Sequence, residues 1–371
     1  TKGKINCTVW SEVFVCPECA GEVIFWEAAV DKGAGNVKDD FPCPHCSAKL
    51  TKRCMNRAWV TNYDPAIKDT VRQAKRVPVL INYSIGKKRH QKRPDDADLA
   101  LIETIEKTDF PYWFPTDRLM EGKKPRRNDP IGITHMHHFY TKRNLWALSA
   151  LDSRLKQSKI RFVLTGIVNR STLMNRIHLK KFFFGGGGWN AGYLKGTLYI
   201  SSIPIETSIF EQWSDRLRGI SKAISSIHCK HPQIISTQSS TLLPIISDSL
   251  DYIFIDPPFG ANINYSELSS IWENWLKTIT NNIPEAIENS VQNKGPSEYR
   301  QLMTSCFKEA YRVLKPGRWM TVEFSNTKAS VWNNIQTALM DAGFIVANVS
   351  ALDKKQGSFK AVNTPTAVKQ D

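Results

Sequence analysis

The chain is short of acid. Across 371 residues, 35 Asp and Glu stand against 50 Lys and Arg, a formal net charge of +15. An excess of that size favours a polyanionic partner, because each neutralised phosphate releases condensed counterions. Long apolar runs are also missing: none approaches the ~20 residues that a membrane-spanning helix needs. No signal-peptide pattern opens the chain. These absences give the expectation of a cytoplasmic protein with no membrane partner. Eight cysteines are too few to staple a chain of this length with disulfides. At 41% hydrophobic and 23% charged, the composition is that of a soluble globular protein, long enough for two or three domains.

Four of those cysteines are paired, as Cys16-Pro-Glu-Cys19 and Cys43-Pro-His-Cys46. Two Cys-x-x-Cys knuckles can turn four thiolates onto one Zn²⁺, whereas a thioredoxin-type redox site needs a single one on a βαβ unit. The 23 residues between the knuckles include Glu22–Glu27, which reads as a hairpin strand, and a glycine turn at Asp31–Gly35. Residues 1–56 are therefore expected to be a zinc ribbon. His45 reads as a bystander, and Cys7 and Cys54 as spare thiols.

Residues 57–195 concentrate positive charge. Nine basic residues lie between Lys68 and Arg93 against one acid, Asp69, and among them Lys87, Lys88, Arg89, Lys92 and Arg93 follow a strand at Val77–Tyr83. A second cluster, Lys123, Lys124, Arg126 and Arg127, sits in a Gly/Pro loop. Charge runs are commonly solvated faces, but two of them beside a zinc ribbon suit contact with phosphates. An Asp-capped helix is expected from Asp95 to Glu106, and another through Leu145–Leu155 capped by Thr141 or Asn144. The histidines of His135-Met-His-His138 have no acid or further cysteine close by in sequence. Base contacts or loop packing by His137, His138, Tyr140 and Arg143 are expected rather than a metal. Gly185–Gly188 reads as a flexible turn, since a nucleotide loop must follow a strand and open a helix.

The last third alternates strands and helices. Strands are expected at Gly196–Ile200, Gln233–Ser236, Asp251–Ile255, Trp319–Phe324 and Phe344–Val349. Helices are expected at Thr207–His228, Ser266–Leu276, Ser297–Leu314 and Trp332–Met340. That order predicts a doubly wound, mostly parallel sheet. The strand at Asp251 ends abruptly in Asp256-Pro-Pro-Phe-Gly260. Two prolines without N–H groups stop the ladder, at the carboxyl end of a strand where open α/β folds place ligands. Asp256 and the Pro257 carbonyl can accept both N–H bonds of an exocyclic amino group, and the Phe259 ring can hold the base. The same four residues also serve as a plain strand-ending turn.

These motifs together resemble the amino-group DNA methyltransferases, and more closely an adenine-specific DNA methylase-like subgroup that carries a zinc ribbon. The resemblance rests on Asp256-Pro-Pro-Phe259, Leu314-Lys-Pro-Gly-Arg-Trp319, Glu323-Phe-Ser-Asn326, His138–Arg143, Asn264–Leu268 and Lys354–Gly357. It implies a Rossmann-like core that uses S-adenosylmethionine, with Asp256, Pro257, Pro258 and Phe259 binding the target amino group of double-stranded DNA. It also implies a place in DNA methylation or restriction-modification. Phe259 stands where the family often has tyrosine. The family's acid in the Ser236–Ser240 region is absent, and Asp256 departs from the Asn of protein glutamine methyltransferases. No counterpart of the family's cofactor turn occurs in residues 1–371, so no cofactor-binding residue is assigned. The expectation is a chain cut at both ends, its cofactor loop upstream of the ribbon. Residues 196–371 would then be the C-terminal part of the catalytic core, with the ribbon inserted or N-terminal to it. A methyltransferase acting on RNA bases and a non-catalytic zinc-ribbon remnant are the alternatives.

Overall fold

The computed structural model describes residues 3–156, 159–227, 231–261, 263–326 and 328–350. The chain divides into two compact units, residues 1–228 with 267–279 and residues 229–266 with 280–371.

The first unit is organised on one long strand, Lys4–Val15, which pairs antiparallel with Arg76–Ile85, Ile205–Thr207, Glu22–Ile24 and Asn56–Arg57. Its apolar Val9, Val13 and Phe14 are buried, and so are Thr8, Ser11 and Glu12. A buried carboxylate needs partners. Glu12 accepts the Ser202 hydroxyl at 2.5 Å and lies 3.5 Å from Arg76 and 3.6 Å from Arg57. Beyond Val15 the chain forms the cysteine-bearing ribbon. Its Phe25, Trp26, Phe41 and Leu50 are packed into one apolar cluster with the long strand. A second cluster joins Met136, Phe139, Leu148, Ile167 and Met174 to Ile271 and Trp275. The expected caps are present. Asp95 accepts the Asp98 N–H ahead of helix Asp96–Lys107, and Thr141 accepts the Asn144 N–H ahead of helix Lys142–Leu155.

The second unit holds a two-stranded parallel sheet, Leu250–Ile255 beside Leu314–Val322, with Ile253 opposite Met320 and Ile255 opposite Val322. Helices Pro296–Val313 and Ala329–Asp341 cover one face through Tyr299, Met303, Phe307, Val331 and Ile335. The other face leaves Tyr252, Phe254 and Trp319 largely exposed.

The helices follow the sequence periodicity closely, but among the described residues the expected sheet does not form. The sheets are mainly antiparallel, and among the described residues the one parallel ladder is this pair. No Rossmann core is seen among them. Gly196–Ile200, Gln233–Ser236 and Phe344–Val349 run as irregular chain, and Ile234 and Ile235 are almost fully exposed. A strand needs a neighbour for its backbone groups, and these segments pair with none among the described residues. Lys315-Pro-Gly317 lies in strand Leu314–Val322, directly after the helix that ends at Val313, with Gly317 at φ +73°. Helix Phe25–Ala29 takes over the end of the strand expected at Glu22–Glu27. Cys229 and Lys354–Gly357 lie outside the described residues.

Candidate active site

Strand Leu250–Ile255 places Asp256 at its carboxyl end, as the sequence predicts. The last ladder bond there runs from the Glu323 N–H to the Ile255 carbonyl, 2.9 Å. Past it, the three carbonyls that follow Pro257 are each held. The Tyr299 hydroxyl donates to Pro258 O at 2.7 Å, Asn326 Nδ2 to Phe259 O at 3.0 Å and the Glu288 N–H to Gly260 O at 3.3 Å. Gly260 takes φ +63°, a conformation that suits glycine. Phe259 is half-buried with its ring edge-to-face on Phe324, 5.2 Å between centroids, and Phe324 packs likewise on Trp332. Pro257 is buried and Asp256 is exposed. Burial raises the Tyr265 hydroxyl pKa, and the nearby charges of Asp256 and Glu285 raise it further. Tyr299 is raised more strongly, first by burial, and so stays a donor to Pro258.

The turn is thus a braced loop, with its carboxylate facing solvent. Sequence reading assigns Asp256 to Phe259 and the Glu323–Asn326 segment, and the structure brings Phe324 and Asn326 onto the loop. It gives no role to Tyr299 or Glu288. Tyr299 lies on the apolar stripe of a helix, where its ring reads as core and nothing marks its hydroxyl. Ser236–Ser240 remains irregular, mostly exposed chain.

The four cysteines of the first unit converge. Cys16 Sγ lies 3.8 Å from Cys46 Sγ, and Cys19 Sγ lies 3.8 Å from Cys43 Sγ. A tetrahedron with Zn–S arms of about 2.3 Å has edges of about 3.8 Å, so the spacing fits zinc. The two knuckles repeat one geometry. Ala20 and Ser47 take φ +58° and +62°, and their N–H groups bond to the Cys16 and Cys43 carbonyls at 3.0 Å. A Cβ on Gly21 would sit 2.6 Å from the His45 ring, so the ring would have to shift to admit it. His45 Nε2 is engaged with the Glu22 carbonyl at 2.8 Å, and the His45 backbone N–H donates to Cys43 Sγ at 3.5 Å. The remaining thiols offer no nucleophile at neutral pH where burial acts on them: it pushes Cys7 up to about 12 and Cys306 to about 11.

The histidines acquire an acid that is distant in sequence. Asp64 Oδ2 lies 2.7 Å from His137 Nε2 and 3.0 Å from His138 Nε2. The donor atoms are close enough to hold a metal, but the hydrogen bonds assign another role. His138 Nδ1 faces the Thr134 and His135 N–H groups at 3.3 and 3.4 Å. It therefore accepts, which leaves the proton on Nε2 pointing at Asp64. Burial alone would raise the Asp64 carboxyl, yet the bonds from His137 and His138 hold it well below the usual carboxylate range.

The basic residues divide into two groups. Lys87 is exposed at the turn after strand Arg76–Ile85, Lys88 and Arg89 are exposed at the start of the paired strand Lys88–Lys92, and Lys123 and Arg127 are exposed in their loop. The others are engaged. Lys92 meets Asp95 and Asp98 at 2.7 Å, Arg93 meets Glu27 at 2.8 Å and Arg126 meets Asp129 at 3.1 Å. Arg143 grips the buried Glu206 with two bonds of 2.8 Å. The Lys124 N–H donates to Glu267, a fully buried carboxylate that secures the loop backbone.

Residues 250–369 match the model of the DNA methylase family. The match begins at the strand that carries Asp256, covers about a third of the chain and supports the amino-group DNA methyltransferase family. No curated protein and no solved structure matches the chain. Gly185–Gly188 follows helix Leu179–Phe184 instead of a strand and opens no helix.

Proposed function

We propose that residues 250–350 hold the target base of a DNA amino-group methyltransferase, with N6 of adenine or N4 of cytosine as the acceptor. S-adenosylmethionine supplies the electrophilic methyl group, and no residue of this chain is assigned to hold it. Asp256 accepts one N–H of the amino group and the Pro257 carbonyl accepts the other. Both bonds draw the nitrogen lone pair out of the ring and stabilise the positive charge that grows on it. Phe259 supports the face of a base turned out of its helix. No covalent enzyme intermediate is required. The four-cysteine centre serves as a structural zinc site in the first unit.

The observation that carries this reading is the braced Asp256–Gly260 loop at a strand's carboxyl end, inside the stretch that matches the methylase family. The bonds on the three carbonyls after Pro257 support the backbone that carries both acceptors, and a supported backbone needs little rearrangement as charge develops. The test incubates the full-length protein with S-adenosylmethionine and DNA and analyses the nucleosides by mass. N6-methyladenine or N4-methylcytosine is expected. Methyl transfer confined to RNA nucleosides, or none to any base, contradicts the reading.

A further inference from the structure

The hairpin formed by strands Trp59–Asp64 and Asp69–Ala74 has two unlike faces. Its register sets Trp59 opposite Ala74, Thr61 opposite Arg72 and Tyr63 opposite Thr70, with Asn62, Asp64 and Gln73 on the reverse side. The reverse face is fastened. Asp64 takes the two histidine bonds, and Gln73 Nε2 donates to Gly132 O at 3.2 Å. Gly132, at φ +76°, lies so close that a Cβ on it would sit 2.1 Å from the Arg72 carbonyl.

Apart from the buried Ala74, the front face is open. Tyr63 is 64% exposed and Trp59 37%, and Thr61, Thr70 and Arg72 are exposed with them. The Arg72 guanidinium lies over the Trp59 ring, 4.6 Å from its centroid. Two aromatic rings left in water on a ribbon pinned from behind, with a cation over one of them, are the components of a base-stacking platform. Ring faces accept unstacked bases of any sequence, and the cation meets the backbone. Both acids of the hairpin, Asp64 and Asp69, pair across the reverse face, so the front presents only positive charge.

We propose that this face binds a DNA strand with unstacked bases, Trp59 and Tyr63 stacking on bases and Arg72 meeting the adjoining phosphate. The choice of DNA rests on the function proposed above; the stacking surface rests on the hairpin alone. Fluorescence anisotropy with labelled single-stranded DNA tests it on wild type, W59A/Y63A, W59F/Y63F and R72Q. Zinc content and circular dichroism report whether each variant is folded. Affinity should fall tenfold or more in W59A/Y63A, recover in W59F/Y63F, where the rings remain, and fall with a weaker salt dependence in R72Q.

Unchanged affinity in folded W59A/Y63A overturns the proposal, as does wild type that binds no DNA or binds the matching RNA strand more tightly. The two readings fail separately. If wild type methylates DNA while W59A/Y63A binds it normally, the platform is wrong and the methyltransferase stands. If wild type transfers no methyl group while W59A/Y63A loses DNA, the platform stands alone.

Discussion

Tyr299 connects the core of the second unit to the loop that carries Asp256. Its ring is fully buried and its hydroxyl ends on the Pro258 carbonyl. Tyr299→Phe keeps the ring and leaves that carbonyl without its donor, a change worth about 1 kcal/mol in stability. Methyl transfer should slow by more than the melting temperature suggests, because the loop loses one of three fixed points. Comparing kcat with thermal melting checks this. At Asp64 the consequence is a pH dependence. Burial holds the His138 pKa below its ordinary 6.5, the Asp64 bond offsetting only part. The unfolded chain therefore takes up this proton before the folded one does. That share of stability is complete above about pH 6.5 and declines as pH falls, with Asp64 adding its own loss at lower pH. Thermal melts between pH 7.5 and 5 should show the decline, and His138→Gln should flatten it.

The ribbon and the parallel pair show two ways in which elements depend on what surrounds them. Four cysteines converge beside the cluster of Phe25, Trp26, Phe41 and Leu50, at a spacing that fits zinc. Stripping the metal with a chelator should release one zinc per chain and loosen that cluster, and Cys43→Ser should do the same; zinc release with tryptophan fluorescence reads both. The knuckles were legible because their chemistry lies within four residues of sequence. Helices such as Pro296–Val313 were legible for a related reason: their i, i+3 and i+4 periodicity is local. The strands expected at Gln233–Ser236 and Phe344–Val349 do not form. A run of apolar residues becomes a strand only where a neighbour accepts its backbone bonds, and sequence alone does not show the neighbour. Asp64 was invisible for the same reason, being 73 residues from His137.

For the molecule as a whole, the net charge of +15 matters less than which cations remain exposed. Lys87, Lys88, Arg89, Lys123 and Arg127 are exposed, whereas Arg143 holds Glu206. Replacing Lys87, Lys88 and Arg89 with Gln should weaken DNA binding at low salt and lower the salt slope by up to about 2–3, near 0.9 per lost phosphate contact. Arg143→Ala should instead destabilise the fold by about 3–5 kcal/mol, because it strands a buried carboxylate. Salt titrations and denaturant melts separate the two. The account as a whole depends on Asp256 acting on the target amino group. The most direct measurement is single-turnover methyl transfer to duplex DNA by Asp256→Ala, alongside wild type and with DNA affinity measured on the same samples. A rate lowered by about 10²–10³-fold with affinity unchanged is the predicted result. A rate equal to wild type would contradict it.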